Sequence, residues 1–496
     1  IGGYRCDPQD PSDYVYPTHH PDQHAFTFLP SDPDKMITAN DGGLFITQDN
    51  MADSVKWQSL NNGYVTSQFY TVAVERSSTS DYLVGGMQDN GTYFTNTTDP
   101  EASWQSVLYG DGGYAAIPHG RDNYYLSWQT GKTYKCNITD QGQMQGITRI
   151  DPKGGSDHLF INPFLLNPAD SNQMFYSAGN ELWLNDSLTS IPVTGNETDA
   201  INMGWDKIAS FGFGLNNITS FGMSKADPST IYFGTNNSQL YKVDSQQSNN
   251  YTQTRLTPQN FPNGYVSSIA ANHDEPSELL LTFSNYEVKS IFHSTDSGQT
   301  WTHVSGNLED DHDGSGDGPS VVWTAILNQP DTTVYFAATS VGLFSTGDLD
   351  STNTVWQQEG ANTIGNVVVN MVKTRQKDGL IAAATHGTGI YTSKFGKQPT
   401  LARSQQNTAG MFTVMPNPVN DRARIQFTNP KKQTISFTIH AIDGKTSQII
   451  HKQEYHEGEK TFTWMPSEQL TDGIYLLVGQ TRKETIYQKK IVLTDQ

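Results

Sequence analysis

The sequence predicts an all-β chain: a multi-bladed β-propeller of about seven or eight blades over residues 1–398, followed by a β-sandwich over 411–496. Three observations lead there. A short strand–turn–strand unit recurs eight times, at spacings of roughly 40–60 residues. No stretch sustains the 3.6-residue apolar period of an amphipathic helix. Composition and charge change together near residue 410, after the polar stretch "FGKQPTLARSQQNTAG", which places a linker at 399–410.

The repeat units come in order. They are "MITANDGGLFITQD" (36–49), "YLVGGMQDNGTYFTN" (82–96), "YYLSWQTGKTYKC" (124–136) and "QMFYSAGNELWLN" (173–185). The second half carries "TIYFGTNNSQLYKV" (230–243), "LLLTFSNYEVKSIFHSTDSGQTW" (279–301), "TVYFAATSVGLFST" (333–346) and "GLIAAATHGTGIYTS" (379–393). Each is a β-rich run, a turn of Gly, Asn or Ser, and a second run with aromatic or aliphatic residues. Units this short bury their faces only against neighbours, which is the propeller or solenoid solution rather than a string of independent sandwiches. Residues 411–496 differ: "MFTVMPNPVNDRARIQF", "QTISFTIHAIDGK", "TFTWMPSEQLTDGIYLLVG" and "IYQKKIVLTD" alternate in period two between Asn-Pro and Asp-Gly turns. That pattern suits a small β-sandwich.

Charge restricts the partners. Residues 1–410 hold 20 Lys/Arg against 42 Asp/Glu, net −22; residues 411–496 hold 11 against 9, net +2. An acidic body argues against nucleic acid, whose backbone is gripped by cations. No apolar run reaches membrane-helix length. The opening Ile1-Gly-Gly-Tyr lacks a basic head and an apolar stretch, so a mature form or a piece of a longer precursor is expected. Cys6 and Cys136 exclude a cysteine zinc cluster and leave a single bridge open.

Four segments carry candidate chemistry. In "HSTDSGQTW" (293–301), Ser294, Asp296, Gly298, Thr300 and Trp301 describe a turn in which Asp296 accepts backbone N–H groups, Gly298 takes a positive φ and Trp301 begins the returning strand. In His20-Pro-Asp22-Gln-His24, alternate side chains share one face of an extended chain, and His20, Asp22 and His24 are candidate ligands for zinc or another transition ion, or members of a structural network. In "EDDHDGSGDG" (309–318), Asp311, Asp313, Ser315 and Asp317 alternate on a glycine-rich loop, a calcium-like array of hard oxygens that lacks the closing Glu of a helix–loop–helix site. Finally, Asp22, Asp41, Asp89 and Asp111 supply a carboxylate pair if the body is a glycosidase, three of them at Asp-Gly or Asp-Asn-Gly turns whose first duty is to reverse the chain.

The motifs also resemble known families. "HSTDSGQTW" resembles the Asp-box, or BNR repeat, of secreted β-propellers. "HPDQHAF" (20–26), "NDGGLF" (40–45), "QDNGT" (88–92), "GDGGYAAI" (110–117) and "THGTGIY" (385–391) resemble large glycosyl-hydrolase-like BNR-repeat propellers, distantly similar to xyloglucanases and to the sortilin propeller. "PNP" (416–418), "IDGK" (442–445), "LTDGIYLL" (470–477) and "KKIVL" (489–493) resemble the type A C-terminal sorting domain of the type IX secretion system of Bacteroidetes, an immunoglobulin-like domain. The resemblance implies export through that machinery and a secreted or outer-membrane-associated surface location. A sialidase is not expected, because residues 1–410 hold only seven Arg and none recurs in a motif to grip a substrate carboxylate. The residues favour a non-catalytic surface propeller that binds a polysaccharide or a cell-surface protein. The alternative is an endo-acting glycoside hydrolase on a β-glucan-like polysaccharide.

Overall fold

The computed structural model describes residues 19–395 and 412–493, apart from 62–63, 101, 211–215, 247–249, 259, 416, 418, 430, 442–446, 468–469, 471–472 and 482–484. The 399–410 linker and Cys6 therefore lie outside the described residues. Two compact units divide the chain, Ile1–Gly396 and Lys397–Gln496. The architecture is all-β, with ten antiparallel sheets of three or four strands; among the described residues the only helices are five three-residue 3-10 turns.

The eight repeats become eight sheets of the first unit, and in each the repeated hairpin supplies the second and third strands. The N-terminal sheet pairs Gln23–Leu29, Asp32–Asn40, Gly43–Thr47 and Gln58–Ser59 in chain order. The next seven sheets open with Phe69–Val74, Gly112–Ala116, Phe164–Leu166, Ile218–Gly222, Val266–Ala271, Val321–Gln329 and Val369–Arg375. Six of these have four strands and the last has three. Each opening strand packs against the next, and Val369–Arg375 packs back on Phe69–Val74. A Gln68–His386 bridge and bonds from Gly387 and Gly389 N–H to the Ser67 carbonyl join the same two ends. The N-terminal sheet takes no place in that cycle of opening strands, so eight repeats yield seven sheets in series and one outside it.

Packing explains the sequence. Every neighbouring pair in the cycle shares an apolar cluster, including the last pair, where Met371, Leu380 and Ala382 meet Phe69, Val72 and Leu83. There is no single core but seven layers between sheets. Small residues let the sheets approach. A Cβ on Gly86 would stand 2.4 Å from the Gly113 carbonyl oxygen, and one on Gly234 would stand 2.2 Å from Val266 Cγ1. The N-terminal sheet has only Met36, Val55 and Trp57 as buried core, with Phe45 beside them and the His19 ring stacked on Trp57 at 4.1 Å. Cys136 is wholly buried in the layer between the first two sheets of the cycle, and burial pushes its thiol up.

In the second unit a three-stranded sheet (Thr413–Met415, Ala423–Asn429, Gly458–Trp464) and a four-stranded sheet (Ser447–Tyr455, Gln433–Ala441, Gly473–Gln480, Thr485–Leu493) share one core. Period-two alternation builds it: Ile425 and Phe427 on one sheet face Ile435, Phe437, Ile439 and Leu477 on the other.

Candidate functional site

The N-terminal sheet contributes its position rather than its core. Its central hairpin turn, Asn40–Gly43, lies against the Gln88–Gly91 turn of the first sheet in the cycle. Asn90 Nδ2 donates to the Asp41 carbonyl at 3.1 Å, and His20 Nε2 lies 3.3 Å from the Asp89 carbonyl oxygen. The turn itself is set by Asp41 N–H donating to the Asp22 carbonyl and Gly42 N–H donating to Asn40 Oδ1. A third segment joins here, for Asp111 Oδ1 accepts the Asp89 N–H at 2.9 Å while Asp111 N–H donates to Gln129 Oε1 at 3.0 Å.

The turns bearing Asp41, Asp89 and Asp111 are thus bonded to one another, and the 20–24 segment, which carries Asp22, lies against the first two. The Asp89 backbone sits at φ 57°, a left-handed conformation that Asp tolerates in turns better than most residues. Its carboxyl is pushed up, first by burial, then by the charges of Asp111 and Asp41, with hydrogen bonding from Gln88 and the charge of His20 opposing. Tyr70 at the start of the neighbouring strand is raised to about 12 by burial and by Asp111 and Asp89. His24 is exposed; its bond to Asp41 Oδ1 and that carboxylate's charge hold its imidazolium above the usual range. A half-buried carboxyl raised above its ordinary range, in the field of other carboxylates and an imidazole, is chemically suited to proton transfer.

The metal expectation is refined. Among the described residues, ligand atoms of His20, Asp22 and Asp41 lie within 4.8 Å of one another, a His/Asp cluster able to coordinate a metal ion. Asp41 stands in that set where the spacing along the chain suggested His24, because His24 turns to bond Asp41 instead. His19, which the sequence did not single out, is buried and donates to or accepts from Thr38; burial brings its ring down to about 4.

The other segments are placed as follows. Ser294 Oγ accepts the Gly298 N–H at 2.9 Å and donates to Asp296 Oδ1 at 2.8 Å. Asp296 accepts the Thr300 N–H and hydroxyl at 2.9 and 2.6 Å, and Trp301 Nε1 donates to the Gly298 carbonyl. These bonds hold the Asp296 carboxyl down at about 2. Gly298 takes φ 82°. The side chains of Ser294, Asp296, Thr300 and Trp301 are thus bonded within the turn. In the 309–318 loop, Ser315 donates its N–H to Asp313 Oδ1 at 3.0 Å and its hydroxyl to Asp313 and Asp311, while the Asp317 N–H donates to Asp310 Oδ2. The loop's carboxylates therefore close the loop on itself, and among the described residues Asp311, Asp313 and Asp317 do not bring three ligand atoms within 4.8 Å.

Comparison with known proteins adds the following. Residues 413–494 match the family model of the secretion system C-terminal sorting domain. No curated protein matches the chain. Among many similar solved structures, the crystal structure of the Niastella koreensis GH74 enzyme aligns at 14% identity and a TM-score of 0.47, over 74% of this chain and 49% of that one. The chain spans about half the length of that structure. The protein carries a sorting domain of the type IX secretion system, which is its partner in export, and it is secreted or held at the cell surface. No described helix is long and apolar enough to cross a membrane.

Proposed function

We propose that the seven-sheet cycle is a seven-bladed β-propeller with an Asp-box at Ser294–Trp301, that the tail is an immunoglobulin-like sandwich, and that the exported body is a glycoside hydrolase acting on a β-glucan-like polysaccharide. One observation carries the catalytic reading: the turns bearing Asp41, Asp89 and Asp111 are bonded to one another, Asp22 lies beside Asp41, and the Asp89 carboxyl is raised by burial and by the charges of Asp111 and Asp41. Glycoside hydrolysis needs such a pair, a carboxylic acid to protonate the leaving oxygen and an ionised partner to activate water or attack the sugar. Asp89 takes the first role. Asp41, bonded to His24, takes the second. Tyr109, two residues before Asp111 and 81% exposed, offers a face on which a sugar ring can stack. The test is release of new reducing ends from a polysaccharide panel by the purified full chain. Asp89→Asn or Asp41→Asn should lose at least about 100-fold in turnover while melting at the wild-type temperature.

A second reading is a non-catalytic propeller that binds glycan or protein. It is favoured by the bonds already spent in the cluster, since Asp111 caps the Asp89 turn and the Asp41 carbonyl anchors Asn90. Retention on a polysaccharide column without any new reducing end would select it. Two metal proposals accompany these readings, a transition ion at His20, Asp22 and Asp41, and calcium at 309–318.

A further inference from the structure

The opening strands of all seven sheets line one cavity of about 680 Å³. In a body with 42 Asp and Glu, no carboxylate residue among the described ones lines that cavity, whereas Arg76, Lys225, Lys373, Arg375 and Lys377 do. The pattern follows the fold. Arg76, His119, Lys225, His273 and Lys377 each come two or three residues after an opening strand ends, so one end of the cavity is ringed with basic side chains. The carboxylate cluster belongs to the other end, where the Gln88 N–H bonds the Gln68 carbonyl just before the first opening strand begins.

Most of these groups have partners. Arg375 pairs with Asp378 and donates to the carbonyls of Glu75 and Ser80. Lys377 donates to the Ser77 carbonyl, His273 pairs with Asp274, and Lys225 lies in the field of the same carboxylate. Arg76 and Lys373 do not. Among the described residues neither makes a hydrogen bond or an ion pair; Lys373 Nζ lies over the Trp323 ring, 4.4 Å from its centroid. Arg76 is exposed and Lys373 half-buried, and both line the cavity. Burial, then the neighbouring Arg76 charge, brings the Lys373 amine down to about 7. Two cations repelling each other in a walled space are stabilised by an anion placed between them.

We propose that this cavity binds a short acidic sugar, its carboxylate between Arg76 and Lys373 and its ring against Trp323. The volume suits a small molecule rather than a polymer or a protein segment, within the roughly 300–1,000 Å³ usual for such sites. Guanidinium offers two parallel donors to a carboxylate. Trp323 and Tyr114, with ring centroids 6.4 Å apart, provide aromatic faces on the same wall. The site shares no residue with the carboxylate cluster, so it stands or falls independently of the hydrolase reading.

The experiment titrates the full chain with trigalacturonate, its methyl ester, maltotriose and inorganic sulfate, read by calorimetry and tryptophan fluorescence. Trigalacturonate should bind, the ester and maltotriose should bind at least tenfold more weakly, and Arg76→Gln and Lys373→Gln should each lose at least tenfold in affinity. Absence of trigalacturonate binding, equal affinity in both variants, or equal binding of the ester or of sulfate would overturn the proposal. A second measurement needs no variant: trigalacturonate should protect Lys373 of the native protein from acylation at neutral pH, and unchanged labelling at saturating trigalacturonate would count equally against it.

Discussion

The N-terminal sheet and the seven sheets that follow it grow from the same repeat, yet they are held by different forces. Each of the seven shares an apolar layer with both neighbours. The N-terminal sheet keeps three buried apolar residues to itself and meets the first sheet of the cycle through the polar groups of Asp41, Asn90, His20 and Asp89. The same hairpin chemistry thus makes an apolar-packed sheet where the sheets follow in series and a bearer of candidate site residues where it is left over. Half of the carboxylate cluster, Asp22 and Asp41, comes from the sheet that contributes least to the core.

That contrast can be broken from either side. Trp57→Ala removes the largest buried side chain of the N-terminal sheet, a loss of about 3–5 kcal/mol for a buried aromatic. The expected result is fast amide exchange confined to Asp32–Asn40 and Gly43–Thr47, with the seven-sheet cycle still protected. Protection lost throughout would mean that the eighth sheet belongs to the closed core. Gly234→Val acts on the other side, for its side chain would have to displace Val266 of the next sheet. About 1–3 kcal/mol of global stability should go, measurable as a lower urea midpoint, and an unchanged midpoint would contradict the close approach.

Asp296→Ala should cost about 1 kcal/mol, as loss of a capping carboxylate does, reduced by the exposure of that side chain. The pH dependence has a definite sign. The folded-state carboxyl lies near 2 against an ordinary 3.8, so its contribution is complete above about pH 4 and vanishes as pH falls through 2. Melts of wild type and variant should converge over that interval, and a constant gap would assign the loss to packing. The smallest effect is expected from calcium, because Ser315 already satisfies Asp311 and Asp313. A rise in melting temperature at millimolar calcium that disappears in Asp311→Asn/Asp313→Asn would locate the ion at 309–318, and no rise would remove calcium from the account.

Local chemistry was legible in the sequence and long-range closure was not. The hairpins were visible because Gly, Asn and Asp turns and period-two strands are written in adjacent residues, and all eight repeat segments fall on sheet hairpins. The turn at 293–301 was legible in the same way, since the Asp296 carboxylate accepts the Thr300 N–H four residues on and Gly298 takes φ 82°, whereas the bonds of Ser294 Oγ and Trp301 Nε1 were not foreseen. Which sheets close on one another depends on contacts between Phe69–Val74 and Val369–Arg375, and no local pattern encodes that pairing. The carboxylates were named together as the source of a pair, but which of them lie near one another depends on separate turns docking together. Arg76 and Lys373 escaped notice because one is an ordinary cation just past a strand and the other an ordinary cation within one, and only the cavity gives the pair meaning.

The central claim is that the leftover sheet completes a proton-donating site around Asp89. The direct measurement is the pH profile of reducing-end release by wild type and Asp89→Asn on the polysaccharide that wild type cleaves fastest. Because the Asp89 carboxyl is raised, the working acid is present at low pH and is lost as pH climbs through its folded-state value. Wild type should therefore show a falling alkaline limb displaced above the ordinary carboxyl range, and Asp89→Asn should fall at least about 100-fold with that limb gone. Full turnover in Asp89→Asn with the same alkaline limb, or no cleavage of any polysaccharide by wild type, would contradict the account.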